Sequence, residues 1–322
     1  MVVTSLDWAP KTNRIVSCSQ DKNAYVWNYD ASSSAWKPTL VHLRLERAAT
    51  FVRWSHNEEK FAVASGARSI AVCYFGEDND WWVSKHLKKP IASTVLTLCW
   101  HPNDVLIACG GTDMKARVFS GFIKGVDSKP APTVWGERLP FGTICGEYES
   151  EFCGWIHDVS FSPDGNQLAF VSHDSTLTII DPSSNSATSV LSKDLPYKRI
   201  LWMDSDKIVV SGQDSTPSIY NLGGNGWELS SAFKKIKSGV RASSPAPAPD
   251  SPLMRSSAFN MFKSMDSRSS SGHSNEDESS VSVVDQSPIT DLRFLETEGN
   301  SKFSTSSLGG KIKVYDILAN QA

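Results

Sequence analysis

The chain has 322 residues, 40% of them hydrophobic, and a formal net charge of −3. That length holds one large domain or two small ones. The near-neutral balance gives no reason to expect a nucleic-acid partner, no run of about 18 apolar residues is present to span a membrane, and the opening MVVTSLDWAP has no signal-peptide pattern.

Six cysteines, at 18, 73, 99, 109, 145 and 153, include no Cys-x-x-Cys pair, so no metal site is expected. Several lie in apolar runs such as VSCSQ, AVCYF and LTLCW, and are expected to be buried, reduced thiols of a cytoplasmic protein. Eleven tryptophans call for an architectural explanation.

A repeat supplies one. The segments TSLDWAP (Trp8), TFVRWSH (Trp54), LTLCWHP (Trp100), DVSFSPDG (Phe161), KRILWMD (Trp202) and ITDLRFLE (Phe294) each set an aromatic after an alternating apolar run. The first two intervals are 46 residues; the next three are 61, 41 and 92. A second anchor follows each aromatic by 12 to 15 residues: Asp21, Asp113, Asp174 and Asp214, with Arg68 and Gly309 in the second and sixth units. Six positions further on comes a large apolar residue: Trp27, Tyr74, Phe119, Ile180, Tyr220 or Tyr315. Each unit reads as three short strands and then a fourth, as in WKPTLVHL, WWVSKHL and ATSVLS. Units of this kind predict an all-β, radially repeated propeller. The Asp is expected to accept N–H bonds in the tight turn between second and third strands, and the recurring aromatic to fill the space between sheets.

In the second unit, DNDWWVSKHLKKP puts Trp81 and Trp82 side by side. Strand alternation sends them to opposite faces, so one indole is expected to wedge between sheets and the other to face the rim. With Lys85, His86, Lys88 and Lys89 alongside, that rim suits a protein partner of acidic character, or is a solvated lysine cluster.

The 61-residue interval holds GFIKGVDSKPAPTVWGERLPFG, whose prolines exclude a long helix. Trp135, Arg138 and Phe141 either anchor a partner, or fold Trp135 and Phe141 back onto the propeller. The 92-residue interval is rich in Ser, Pro and charge, a composition that predicts disorder. Within it, SPLMRSSAFNMFKSMDS predicts a short amphipathic helix near 252–266. Ser251 caps it, Pro252 opens it, and Met254, Ala258, Met261 or Phe262, and Met265 recur at helical spacing with Phe259 flanking. Such a helix suits a groove on a partner, or packs on its own propeller. The expected organisation is propeller units one to five over 1–237, a low-complexity insert over 238–287, and the last unit over 288–322. The first unit opens on its first strand and the sixth stops after its third. Roughly one further N-terminal blade is therefore expected, because an open sheet edge is a liability.

The repeat resembles the WD repeat of β-propellers, although no unit ends in Trp-Asp. NRIVSCSQDKNAYVWN, DNDWWVSKHLKKPIASTVLTLCWHPND, PAPTVWGERLPFG, CGWIHDVSFS and FVSHDSTL further resemble the WD-repeat subunit of the actin-related protein 2/3 complex. That resemblance implies a seven-bladed, non-enzymatic scaffold in the cytoplasm and actin cytoskeleton, with six blades recognisable here. It also implies sibling subunits, the actin filament and acidic tails of promoting factors as partners. It implies no cofactor, nucleic acid or membrane, and a contact with actin or an actin-related subunit through the inserted helix. A generic WD-repeat adaptor is the alternative reading. A propeller enzyme would need converging acids, His or metal ligands. His157 and His173, each followed by Asp, and Ser162 have strand or turn context only, so no catalytic residue is expected.

Overall fold

The computed structural model describes residues 2–78, 80–137, 139–224, 226–232, 287–295 and 302–317. Arg138 and the predicted helix near 252–266 lie outside these described residues. Met1–Lys234 and Gln286–Ala322 belong to one structural unit.

Among the described residues, each repeat folds into its own antiparallel sheet. The first is β1 (Val3–Ala9), β2 (Arg14–Ser19), β3 (Ala24–Asp30) and β4 (Ala35–Val41). The second is β5 (Ala49–Trp54), β6 (Lys60–Ser65), β7 (Ser69–Gly76) and β8 (Trp81–Leu87). The third is β9 (Val95–Trp100), β10 (Leu106–Gly111), β11 (Lys115–Ser120) and β12 (Ile144–Glu149). The fourth is β13 (Ile156–Phe161), β14 (Leu168–Ser172), β15 (Thr176–Asp181) and β16 (Ser186–Leu191). The fifth is β17 (Tyr197–Asp204), β18 (Lys207–Gly212), β19 (Ser218–Gly223) and β20 (Gly226–Ala232). The sixth has three strands, β21 (Ile289–Phe294), β22 (Lys302–Ser307) and β23 (Ile312–Asp316). These are six blades of a β-propeller.

Burial follows position in the blade. The second strands β6, β10 and β14 are buried along their whole length because sheets cover both their faces, which is why KFAVAS and LAFVS read as nearly continuous small or apolar runs. The outermost strand β4 is exposed almost throughout. Separate apolar clusters fill the successive junctions: Val16, Val26 and Phe61 between sheets one and two, for example, and Met203, Val209 and Phe303 between five and six. Full burial of one such side chain is worth about 1.5–3 kcal/mol.

The recurring aromatics Trp54, Trp100, Phe161 and Trp202 are buried in these junctions. Trp100 Nε1 donates to the Arg53 carbonyl at 3.1 Å, and Trp202 Nε1 to that of Ser160 at 3.1 Å, each bond tying a sheet to its predecessor. Trp8 departs from the expected filling role. It is 57% exposed, and its indole donates instead to its neighbour Asn13 at 3.3 Å. Leu6, Tyr29, Trp36 and Leu40 of the same sheet are also exposed. The reason is positional: Trp8 lies on the face of sheet one turned away from sheet two.

Candidate interaction surfaces

On β8 the two tryptophans separate as strand geometry requires. Trp82 packs on Trp54, Phe61 and Phe75 with ring centroids 5.8, 5.1 and 5.6 Å away. Trp81, opposite Gly76, is 61% exposed. Lys85 shares its face. The Lys85 ammonium lies 5.7 Å from the Tyr74 ring and 5.8 Å from that of Phe141, within cation–π range of both. Two stretches far apart in sequence, WWVSKHL and the long connection, thus meet in one rim cluster. His86 points the other way and bonds the Leu43 carbonyl at 2.7 Å. Lys88 and Lys89 are exposed in the connection that follows.

The long connection also does something its sequence left open. Trp135 is 5% exposed, so its indole is not offered to a partner. It donates to the Gly165 carbonyl at 2.8 Å and packs edge-on against Phe161 at 5.5 Å. Folding back satisfies the indole N–H and hides a large apolar ring, both of which an exposed anchor would forgo. Further back in the connection, Asp127 pairs with Lys60 of β6 at 2.6 Å.

The repeated aspartates hold turns in two ways. Asp21 accepts Asn23 N–H at 3.0 Å, and Asp174 accepts Thr176 N–H at 3.1 Å, each inside its own turn. Asp113 accepts Ala92 N–H at 3.2 Å, and Asp214 accepts Leu195 N–H at 3.0 Å, both from the segment entering the blade. Sequence reasoning missed a second set between blades. Glu58 accepts Lys11 and Thr12 N–H groups at 2.8 and 2.6 Å, and Asp104 accepts that of Asn57 at 3.1 Å.

It also missed a charged ring on the inner strands. Arg53 meets Asp7 at 3.1 Å, Arg293 meets Asp7 at 3.3 Å, and Arg199 meets Asp291 at 3.1 Å. Asp158 accepts from the Thr97 hydroxyl and from Ile200 N–H. Burial raises the Asp158 carboxyl above its usual range, while Arg199, Thr97 and Arg53 pull it back. The signal was present: these residues stand one or three places before the recurring aromatic. Three arginines paired with Asp7 and Asp291, and Asp158 bonded to Thr97 and Ile200, tie blades together.

His157 and His173 bond each other at 3.0 Å between Nε2 and Nδ1, and the acids beside them are engaged elsewhere: Asp158 in the ring, Asp174 in its turn. Ser162 bonds Asp164 and Gln167 within its turn. Among the described residues no three His, Cys, Asp or Glu side chains gather as metal ligands, and no helix is long and apolar enough to cross a membrane.

Comparison with known proteins adds two findings. The family model "WD domain, G-beta repeat" matches residues 2–28, 82–120 and 144–181. The chain is 44% identical to actin-related protein 2/3 complex subunit 1 of Schizosaccharomyces pombe, over 98% of this chain and 85% of that protein. It is 43% identical to subunit 1A-A of Xenopus laevis, over 98% and 82%. With subunit 1 of Saccharomyces cerevisiae it shares 39%, over 94% and 80%.

Proposed function

The chain belongs to the subunit 1 family of the actin-related protein 2/3 complex, and from that premise we propose how its surfaces serve the assembly. It is a structural WD-repeat subunit of that complex, associated with the actin cytoskeleton through it, and its partners include the sibling subunits. The observation that carries this is identity of 43–44% running over 98% of the chain. A generic WD-repeat adaptor is not favoured by those relatives.

The finer reading is ours. The subunit works in the cytoplasm without catalysis of its own, by holding partners so that the complex nucleates branched actin filaments. The paired inner charges and the mutually bonded histidines support this, since neither set is arranged to transfer a proton or attack a substrate. The rim cluster of Trp81, Lys85, Phe141, Lys88 and Lys89 receives an acidic tail of a promoting factor. An exposed indole and a lysine over two aromatic rings suit an acidic peptide. The island with Met254, Phe259, Met261, Phe262 and Met265 docks on actin or a sibling subunit. Trp135 contributes indirectly, by stiffening the connection that presents Phe141.

Native purification with mass spectrometry tests the assembly. Co-purification of the two actin-related proteins is expected, and stable recovery with unrelated partners alone would overturn the reading. For the rim, an acidic promoting-factor peptide should bind at low salt, weaken at high salt, and weaken further with Lys85→Ala. For the insert, Met261→Asp with Phe262→Asp should lower partner binding at unchanged melting temperature. Equal loss of both would sink that docking role.

A further inference from the structure

The inner strand of each of the six sheets carries a β-bulge at one repeat position. Pairing skips Thr4, Thr50, Leu96, His157, Lys198 and Thr290, each four residues before its recurring aromatic. A bulge leaves the extra residue unpaired and re-aims its side chain. Leu96, His157, Lys198 and Thr290 line one cavity of about 280 Å³ together with Arg199.

Three of these positions are threonine, and three are not: Leu96, His157 and Lys198. Thr4 and Thr50 spend their hydroxyls on the next sheet, bonding the Ala49 and Val95 carbonyls at 2.9 and 2.6 Å. Thr290 bonds the Ser306 carbonyl at 3.1 Å. Sheets four and five put His157 and Lys198 there instead. Lys198 forms no ion pair among the described residues, while Arg199 uses Nε on Asp291 at 3.1 Å and Nη1 on the Lys198 carbonyl at 3.4 Å. His157 contacts His173 at 3.0 Å. The walls therefore carry two cations and an imidazole, and the carboxylate that Arg199 meets, Asp291, is already shared with Arg293.

We propose that this cavity over sheets four and five binds a small phosphate-bearing anion, held by Lys198, Arg199 and His157. Its volume lies just under the range of drug-sized pockets, about 300–1,000 Å³, so the ligand is small. Lysine supplies a point charge and arginine a planar fork, the usual pair for phosphate oxygens. Burial, then His173, Lys198 and Arg199, depress the His157 imidazole to about 4, with Asp174 opposing. An anion favours the protonated imidazole. The other charged groups facing it, Asp158 on its own strand and Asp291 on β21, are held by bonds to the ring. Binding should therefore take up a proton and strengthen as pH falls. This site does not depend on the assembly reading.

Titration calorimetry of inorganic pyrophosphate into the full chain tests it. Saturable one-site binding is expected, tighter at pH 6 than at pH 7. It should weaken about tenfold in Lys198→Ala, change little in Lys193→Ala, and lose the gain at pH 6 in His157→Gln. Flotation with vesicles of phosphatidylcholine, with and without a phosphoinositide, separates a headgroup source from a free one: binding in either arm that depends on Lys198 supports the site. Melting curves check each variant's fold, and His157→Gln reads the site independently of Lys198→Ala. No binding in either arm, or equal losses in Lys193→Ala and Lys198→Ala, overturns the proposal.

Discussion

Lys60 Nζ meets the Asp127 carboxylate at 2.6 Å, with the lysine side chain wholly buried. The ammonium also donates to the Asp104 carbonyl at 2.8 Å and lies 5.0 Å from the Trp100 ring centre. Asp127 in turn accepts Ile123 N–H at 2.6 Å. One lysine of sheet two therefore pins both the third blade and the long connection beyond it.

Removing one partner strands the other as a buried charge. Lys60→Met or Asp127→Ala alone should cost about 3–5 kcal/mol. The double variant Lys60→Met with Asp127→Leu should cost much less than their sum. Urea unfolding of all three decides it, and single losses below about 1 kcal/mol would show that the pair does not pin the connection.

The neighbouring tryptophans should behave unequally. Trp82→Ala empties a site among Trp54, Phe61 and Phe75 and should destabilise by about 3–5 kcal/mol. Trp81→Ala, at an exposed rim position, should shift stability by no more than about 0.5 kcal/mol. Thermal melting of the two variants, followed by the acidic-peptide titration on Trp81→Ala, separates packing from recognition.

Gly165 is a turn residue with φ of +77°, and a Cβ there would lie 2.2 Å from His101 Nε2. Its carbonyl accepts both that imidazole at 3.0 Å and the Trp135 indole at 2.8 Å. Gly165→Ala therefore combines left-handed strain with a clash, together about 2–5 kcal/mol. Melting should fall accordingly, and Trp135 should become more solvent-exposed by fluorescence quenching.

His101 gives stability a pH dependence. Burial lowers its pKa despite the Gly165 carbonyl that favours the proton. Its Nδ1 accepts Asn103 N–H at 3.0 Å, which a second proton would break. The folded imidazole thus resists a proton that the unfolded one takes at its ordinary value of about 6.5. Stability should be complete above that pH and fall as pH drops through it toward the lower folded value. His157, depressed to about 4, adds to the same trend. Urea midpoints from pH 7.5 to 5 should decline, and the decline should be shallower in His101→Gln. A parallel decline would remove His101 as a cause.

What the sequence alone determined is local. Alternation, turn residues and the spacing from aromatic to Asp are properties of ten or fifteen consecutive residues. They therefore marked the strands, the six units and the opposite directions of Trp81 and Trp82. What the tertiary structure decided depends on a neighbour's presence. Trp8 and Trp54 occupy the same repeat position, yet one is exposed and the other buried, because among the described residues only the second is covered by a neighbouring sheet. Lys60 and Asp127, 67 residues apart, pair only once two blades have packed. Trp135 reads equally well as anchor or as filler until the Gly165 carbonyl comes within reach. Burial, ion pairing and the cavity behind the bulges are set by contacts across blades, and side chains so far apart along the chain carry no mark of which will meet.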